Sequence, residues 1–300
     1  MKRLLIFLGI IVLLNGCKTK TNLIEKAKNK MENLNSYTMT TNINSTIFYN
    51  NYSTTLTIDS NIDLKNNVGK FSITTIYSGN TSIENGYVKI DNNQIITYTN
   101  KDNNWYYSTD QSIFKFDILD NIKNKEIDAS DNKIKISFDD DIIKNILNLD
   151  NNYIIDNDNT EIYLYITNDK YISQITMNVP LTINDDNIKS CIMNVTINFK
   201  NYNKLDNITI PDNVNSAFDS SVLTFIKNVE DYISLVEYTI YNTDLINSIY
   251  TNNNLNYDGL KPTSVNLNIE NGIVINGNII MGNYQFNIKN SKVDSFEKID

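Results

Sequence analysis

The feature that most constrains this chain is a period of two that recurs through most of its length. Tyr37, Met39, Thr41, Ile43, Ser45 and Ile47 share one parity, and Leu56, Ile58, Ser60, Ile62 and Leu64 repeat it in the next run. Cys191, Met193, Val195, Ile197 and Phe199 do the same far downstream. Successive side chains of a strand point to opposite faces, so each run has one apolar and one polar side. That is the pattern of an antiparallel sheet with one face covered. Further strands are expected over 69–78, 81–91, 93–100, 133–138, 153–156, 161–168, 171–183 and 187–200. Asn85-Gly86 and Asp169-Lys170 read as hairpin turns, and Lys101 to Asn104 as a polar turn.

The period changes in a few places. Leu23, Ala27, Met31 and Leu34 have helical spacing, as do Ile113, Phe116 and Ile122 within 112–123. Asp139-Asp140-Asp141 precedes Ile142, Ile143, Ile146, Leu147 and Leu149, placing acids at the positive end of a short helix. After Pro211 the pattern shifts. Residues 217–249 carry Val222, Phe225, Val229, Ile233, Val236 and Ile240, one long helix or two in series. Three short strands close the chain at 263–269, 273–281 and 284–289, with Asn271-Gly272 and Gly282-Asn283 at the turns. The expected class is therefore α+β. A break at 212–216 separates a first domain, 22–212, from a second, 217–300, built of a helix and a small antiparallel meander.

Composition removes several kinds of chemistry. The 300 residues include no histidine, two cysteines and nine glycines. Histidine triads, histidine-ligated metals and disulfide scaffolds are thereby excluded, and no GxGxxG or GxxxxGK[ST] loop is present. The balance of 26 Lys+Arg against 35 Asp+Glu, net −9, lacks the basic footprint of a nucleic-acid binder. No cofactor, no metal and no catalytic residue is expected. Cys191 shares the parity of Met193 and Val195, so it reads as a small core side chain. Asp139 to Asp141 and Asp156-Asn-Asp158-Asn-Thr-Glu161 are rich in oxygen ligands, but neither has the spacing and glycine of a calcium loop. They read as a helix start and a hairpin turn. Trp105, Tyr106, Tyr107, Tyr163 and Tyr165 read as cross-strand aromatic packing, with an apolar or glycan-binding surface as the sharper alternative. The excess of Asn, Ile, Lys, Asp and Tyr fits the codon bias of a low-GC bacterium.

The N-terminus carries a positive start, Lys2 and Arg3, then an apolar run from Leu4 to Leu14 that is too short to span a bilayer. It ends Leu14-Asn15-Gly16-Cys17, which resembles the lipobox of bacterial lipoproteins. The resemblance implies cleavage between Gly16 and Cys17, giving a signal peptide over 1–16. It further implies acylation of the Cys17 thiol, a short tether over 17–21, and a protein held on the extracytoplasmic face of the cell membrane by lipid.

The order of helix, long meander, inserted helices and more strands also resembles the LolA/LppX/RseB class of lipoproteins over about residues 21–212. The local matches are Asn33-Leu34-Asn35-Ser36-Tyr37 at the entry and Asn201-Tyr202-Asn203 with Ile208-Thr209-Ile210-Pro211 at the exit. The resemblance implies a half-barrel sheet with helices on its concave face and a gap that accepts acyl chains. Met193, Val195, Ile197, Phe199, Leu56 and Ile58 would line that gap. The implied role is non-enzymatic binding of a lipid or a lipoprotein acyl chain. The alternative is an envelope sensor or surface protein that binds another protein. Residues 217–300, through Gly259 to Thr263, Ile269 to Ile273 and Gly282-Asn283-Tyr284, resemble the globular end of Gram-positive pilin-like proteins.

Overall fold

A computed structural model describes residues 23–91, 94–101, 104–110, 116–128, 132–183, 188–243, 247–251 and 255–299. The chain divides into two units, Met1–Ala217 and Phe218–Asp300.

The first unit is a curved antiparallel sheet with helices on its concave face. Helix α1 (23–32) leads into strands β1 (Ser36–Tyr49), β2 (Ser53–Lys65), β3 (Val68–Tyr77), β4 (Asn80–Asp91), β5 (Gln94–Lys101) and β6 (Asn104–Asp110), a simple meander. The chain then crosses to the far edge for β7 (Asn124–Asp128) and β8 (Lys133–Ser137). It returns through α2 (Asp140–Leu147), β9 (Tyr153–Ile155), β10 (Glu161–Ile166), β11 (Ile172–Ile183) and β12 (Ile188–Lys200). The strand order is β6-β5-β4-β3-β2-β1-β12-β11-β10-β8-β7, with β9 also on β11. Strand β1 is thus the seam between an early and a late meander.

The two faces are chemically distinct. On the outer face, asparagines make cross-strand amide bonds. Asn42 Nδ2 donates to Asp59 Oδ1 at 2.6 Å, and Asn178 Nδ2 to Asn194 Oδ1 at 2.7 Å. Gln174 Nε2 donates to Asn198 Oδ1 at 2.8 Å. On the inner face the apolar parity faces Ile24, Ala27 and Met31 of α1, Ile143 of α2, and Phe116 and Leu119 of a 3-10 segment (Phe116–Asn121). That segment replaces the described part of the helix expected over 112–123. Phe116, Leu119 and Ile122 recur every three residues, a spacing that suits the tighter helix equally well.

The entry and exit of this unit are tied together. Asn35 N–H donates to Asn203 Oδ1 at 2.8 Å, and Asn203 N–H to the Ser36 carbonyl at 2.7 Å. Lys65 Nζ donates to the Leu205 carbonyl at 2.6 Å.

One expected turn is not a turn. Asn85-Gly86 lies inside β4, and the hairpin turns at Ser78-Gly79, where φ is +50° and +81°. A Cβ on Gly86 would sit 1.9 Å from the Tyr98 carbonyl oxygen and 2.7 Å from the Phe71 ring. The glycine is there for a close crossing, a role that leaves the same trace in a sequence as a turn does.

The second unit opens with a two-residue strand, β13 (Phe218–Asp219), and helix α3 (Ser221–Asn242). The helix buries Val222, Val229, Tyr232, Ile233, Val236 and Ile240. It packs on a sheet of five strands, β14 (Ser248–Thr251), β15 (Ser264–Glu270), β16 (Ile273–Met281), β17 (Tyr284–Lys289) and β18 (Lys292–Lys298), in sequence order. The expected three strands are the middle ones. Strand β18 escapes the alternation because Val293 and Phe296 are three apart; its pairing with β17 shifts register between Asn287 and Ile288. Strand β14 takes up residues read as the end of the preceding helix. Glu237 fixes α3 to the sheet: its Oε1 accepts from the Val274 N–H at 2.7 Å and from Ser291 Oγ at 2.5 Å.

Candidate functional site

Cross-strand register builds the inner face of the first unit as rows. One row reads Val179, Met193, Ser45, Leu56, Tyr77; the next reads Met177, Val195, Ile43, Ile58, Thr75. Burial falls along each row in the same direction, except at Ser45, which is buried at 4% exposure between half-buried Met193 and Leu56. Val179, Met177 and Val195 are sealed, Ile43, Met193, Leu56 and Ile58 are half-buried, and Tyr77 is 43% exposed. The helices therefore close the β10–β12 side of the face and stop near β1.

Strand β2 lies at the margin of that closed region, with Ile62 packed against the core and Leu56 and Ile58 outside it. Its inward residues Leu56, Ile58, Ser60, Ile62 and Leu64 are all half-buried. Eight residue steps at about 3.4 Å make this strip about 27 Å long. At its Leu64 end is a cavity of about 330 Å³ lined by Leu34, Asn35, Tyr37, Leu64, Asn66 and Asn67. The left-handed turn Asn66-Asn67, φ +48° and +67°, forms part of its rim.

The six expected lining residues separate into two groups. Val195, Ile197 and Phe199 are buried in the packed core with the helices. Leu56 and Ile58 lie outside that core on the strip, and Met193 packs at its border. Ile62, Leu64 and Tyr37 at one end and Ser45 at the other, which share the inward parity but were not among the expected lining residues, complete the strip together with Tyr77. Burial pushes the Tyr37 hydroxyl up to about 12, consistent with its contacts to Phe116 and Phe199 at ring distances of 6.0 and 6.2 Å. Cys191 is buried at 4% exposure, and desolvation raises its thiol above the usual range, which disfavours the reactive thiolate.

The two acidic segments meet. Asn157 Nδ2 donates to Asp140 Oδ1 at 2.6 Å, and Lys123 Nζ bonds Asp139 at 2.7 Å. Together with Asp158 and Thr160 they rim a cavity of about 370 Å³ whose floor is Ile136, Phe138, Ile143 and Ile162. The hydrogen bond to Asp139 raises the Lys123 ammonium above its ordinary value. Among the described residues no group of three His, Cys, Asp or Glu is placed to hold a metal ion.

The five aromatic residues do not form one surface. Tyr106 points inward and is buried. Trp105 stands on the outer face with Tyr87, ring centres 5.8 Å apart, and Tyr107 pairs across from Tyr98. Tyr163 and Tyr165 sit toward the other edge of the sheet, where Lys133 Nζ lies 3.9 and 5.6 Å from their ring centres. Gly16 and Cys17 lie outside the described residues.

No protein-family model and no curated protein sequence matches the chain. Among solved structures, that of LprF from Mycobacterium bovis is similar at 12% identity, covering 64% of this chain and 95% of LprF, with a TM-score of 0.32.

Proposed function

We propose that this chain is a lipid-anchored extracytoplasmic lipoprotein, not an enzyme, whose first unit binds a lipid or a lipoprotein acyl chain. The observation that carries the reading is the half-buried β2 strip, Leu56 to Leu64, beside a closed core and ending in a cavity of about 330 Å³. Water leaves such a surface at a gain of roughly 25 cal/mol per Å² of apolar area. A length of about 27 Å accommodates an extended acyl chain, since each leaflet of a bilayer contributes about half of its ~30 Å hydrocarbon core. The anchor rests on Leu14-Asn15-Gly16-Cys17. Among the described residues no helix is long and apolar enough to cross a membrane. Native mass spectrometry of the chain from Lys18 onward, purified without detergent, tests the binding. Adducts of lipid mass that disappear on organic extraction are expected; a bare protein that also takes up no added lipid would refute the reading.

A second reading, a surface protein that binds another protein, has its own observation in the second unit. Tyr238 and Tyr241 of α3 are 69% and 77% exposed, and Tyr241 lies beside the Asn271-Gly272 turn with exposed Ile273. Exposed aromatics are the side chains interfaces favour. Loss of a copurifying envelope protein in a Tyr238→Ser, Tyr241→Ser variant with lipid binding intact would favour it.

A further inference from the structure

Ser45 is 4% exposed, and its hydroxyl finds no hydrogen-bond partner among the described residues. Its neighbour Asn44 bonds Asn42 and Thr57 on the outer face, so alternation along β1 turns Ser45 inward. There it stands between Met193 of β12 and Leu56 of β2, at the end of the strip opposite the cavity. An orphaned buried hydroxyl is unfavourable, a cost that alanine at the same place would avoid. The row on its tip side is Leu181, Cys191, Ile47 and Thr54, and the row on its other side contains Val195, Ile43 and Ile58. None of these side chains is basic.

We propose that the Ser45 hydroxyl is the specificity-determining polar contact of the strip, donating to a neutral acceptor on the bound chain, such as an ester or amide carbonyl. This rests on β2 being a ligand strip. The surroundings explain the discrimination. Among the described residues of these rows an ionised carboxylate at this depth meets no cation and loses its hydration, while a plain hydrocarbon leaves the hydroxyl unpaired. A neutral carbonyl satisfies the donor without bringing charge. Flexible Met193 is the side chain that yields to admit it, because an unbranched thioether repacks readily.

The test is competition of hexadecane, methyl palmitate and palmitate against the fluorescent dye ANS on the chain from Lys18 onward. Wild type is expected to prefer methyl palmitate to both others by about tenfold, the equivalent of one satisfied buried hydrogen bond. Ser45→Ala should remove that preference while hexadecane affinity stays within twofold, and Ser45→Thr, which keeps a hydroxyl, should restore part of it. Ser45→Ala should also melt no lower than wild type, since it deletes an unpaired donor. An unchanged ester preference in Ser45→Ala overturns the proposal and leaves the ligand strip standing. Failure of all three probes to displace the dye from wild type overturns both.

Discussion

At the scale of the residue, parity decides energetics. Val195 and Thr196 are adjacent in β12, yet one is in the sealed core at 3% exposure and the other is half-buried on the polar outer face, paired across from Asn42 and Thr176. Val195→Asp should cost roughly 3–5 kcal/mol, because it buries a carboxylate without a partner. Thr196→Asp should cost about 1 kcal/mol or less. Urea melts of the two variants check this, and equal losses would contradict the register of β1 with β12. Tyr37 supplies a pH dependence. Its hydroxyl is raised by burial to about 12 from an ordinary 10, so the unfolded chain ionises first. Its contribution is fully present below pH 10 and is lost as the pH climbs through 12. Tyr37→Phe should therefore flatten the fall in stability across that window relative to wild type, read by melts at pH 9 and pH 11.5.

At the scale of the element, two glycines in one hairpin have different reasons to exist. Gly79 sits in a left-handed turn with open space around it, and Gly86 sits where the Phe71 ring and the Tyr98 carbonyl leave no room for a Cβ. Gly86→Ala must move a strand backbone and should cost about 1–3 kcal/mol. Gly79→Asn keeps a residue that tolerates the left-handed region and should change stability by about 0.5 kcal/mol or less. Thermal melts of the two variants should rank in that order. The alternation in β1, β2 and β12 is uninterrupted, and these strands lie where the sequence placed them. Gly86 misled because a glycine forced by a ring crossing and a glycine forced by a turn look alike in one dimension. Strand β18 is not legible in the sequence because its register shift breaks the period that identifies a strand. The 3-10 segment at Phe116 cannot be told from an ordinary helix in the sequence, because three-residue spacing serves both.

At the scale of the whole molecule, the division after Ala217 and the N-terminal anchor carry separate predictions. The first unit has its own core, from Ile24 of α1 to Phe199 of β12. A chain ending at Ala217 should melt in one cooperative transition; a broad, non-cooperative melt would mean the units share a core. Cys17→Ser should move the protein out of the membrane fraction, because two acyl chains are the stable anchor in the proposed reading. Retention of the variant in membranes after a high-salt wash would count against lipid anchoring.

What the sequence determined by itself is the list of faces. A period of two requires only neighbouring residues, so the inward parity of Leu56, Ile58, Met193 and Val195 was readable without knowing what lies opposite. Which part of that face is covered was decided by tertiary structure alone. Strand β1 pairs β2 on one side and β12 on the other, joining residues about 150 positions apart. Helices α1 and α2 and the 3-10 segment then seal the β12 side and leave the β2 strip half-covered. The clamp between Asn35, Ser36 and Asn203, and the meeting of Asp140 with Asn157, arise in the same way. Covering a surface depends on where distant segments arrive, and no local pattern in the chain encodes that arrival.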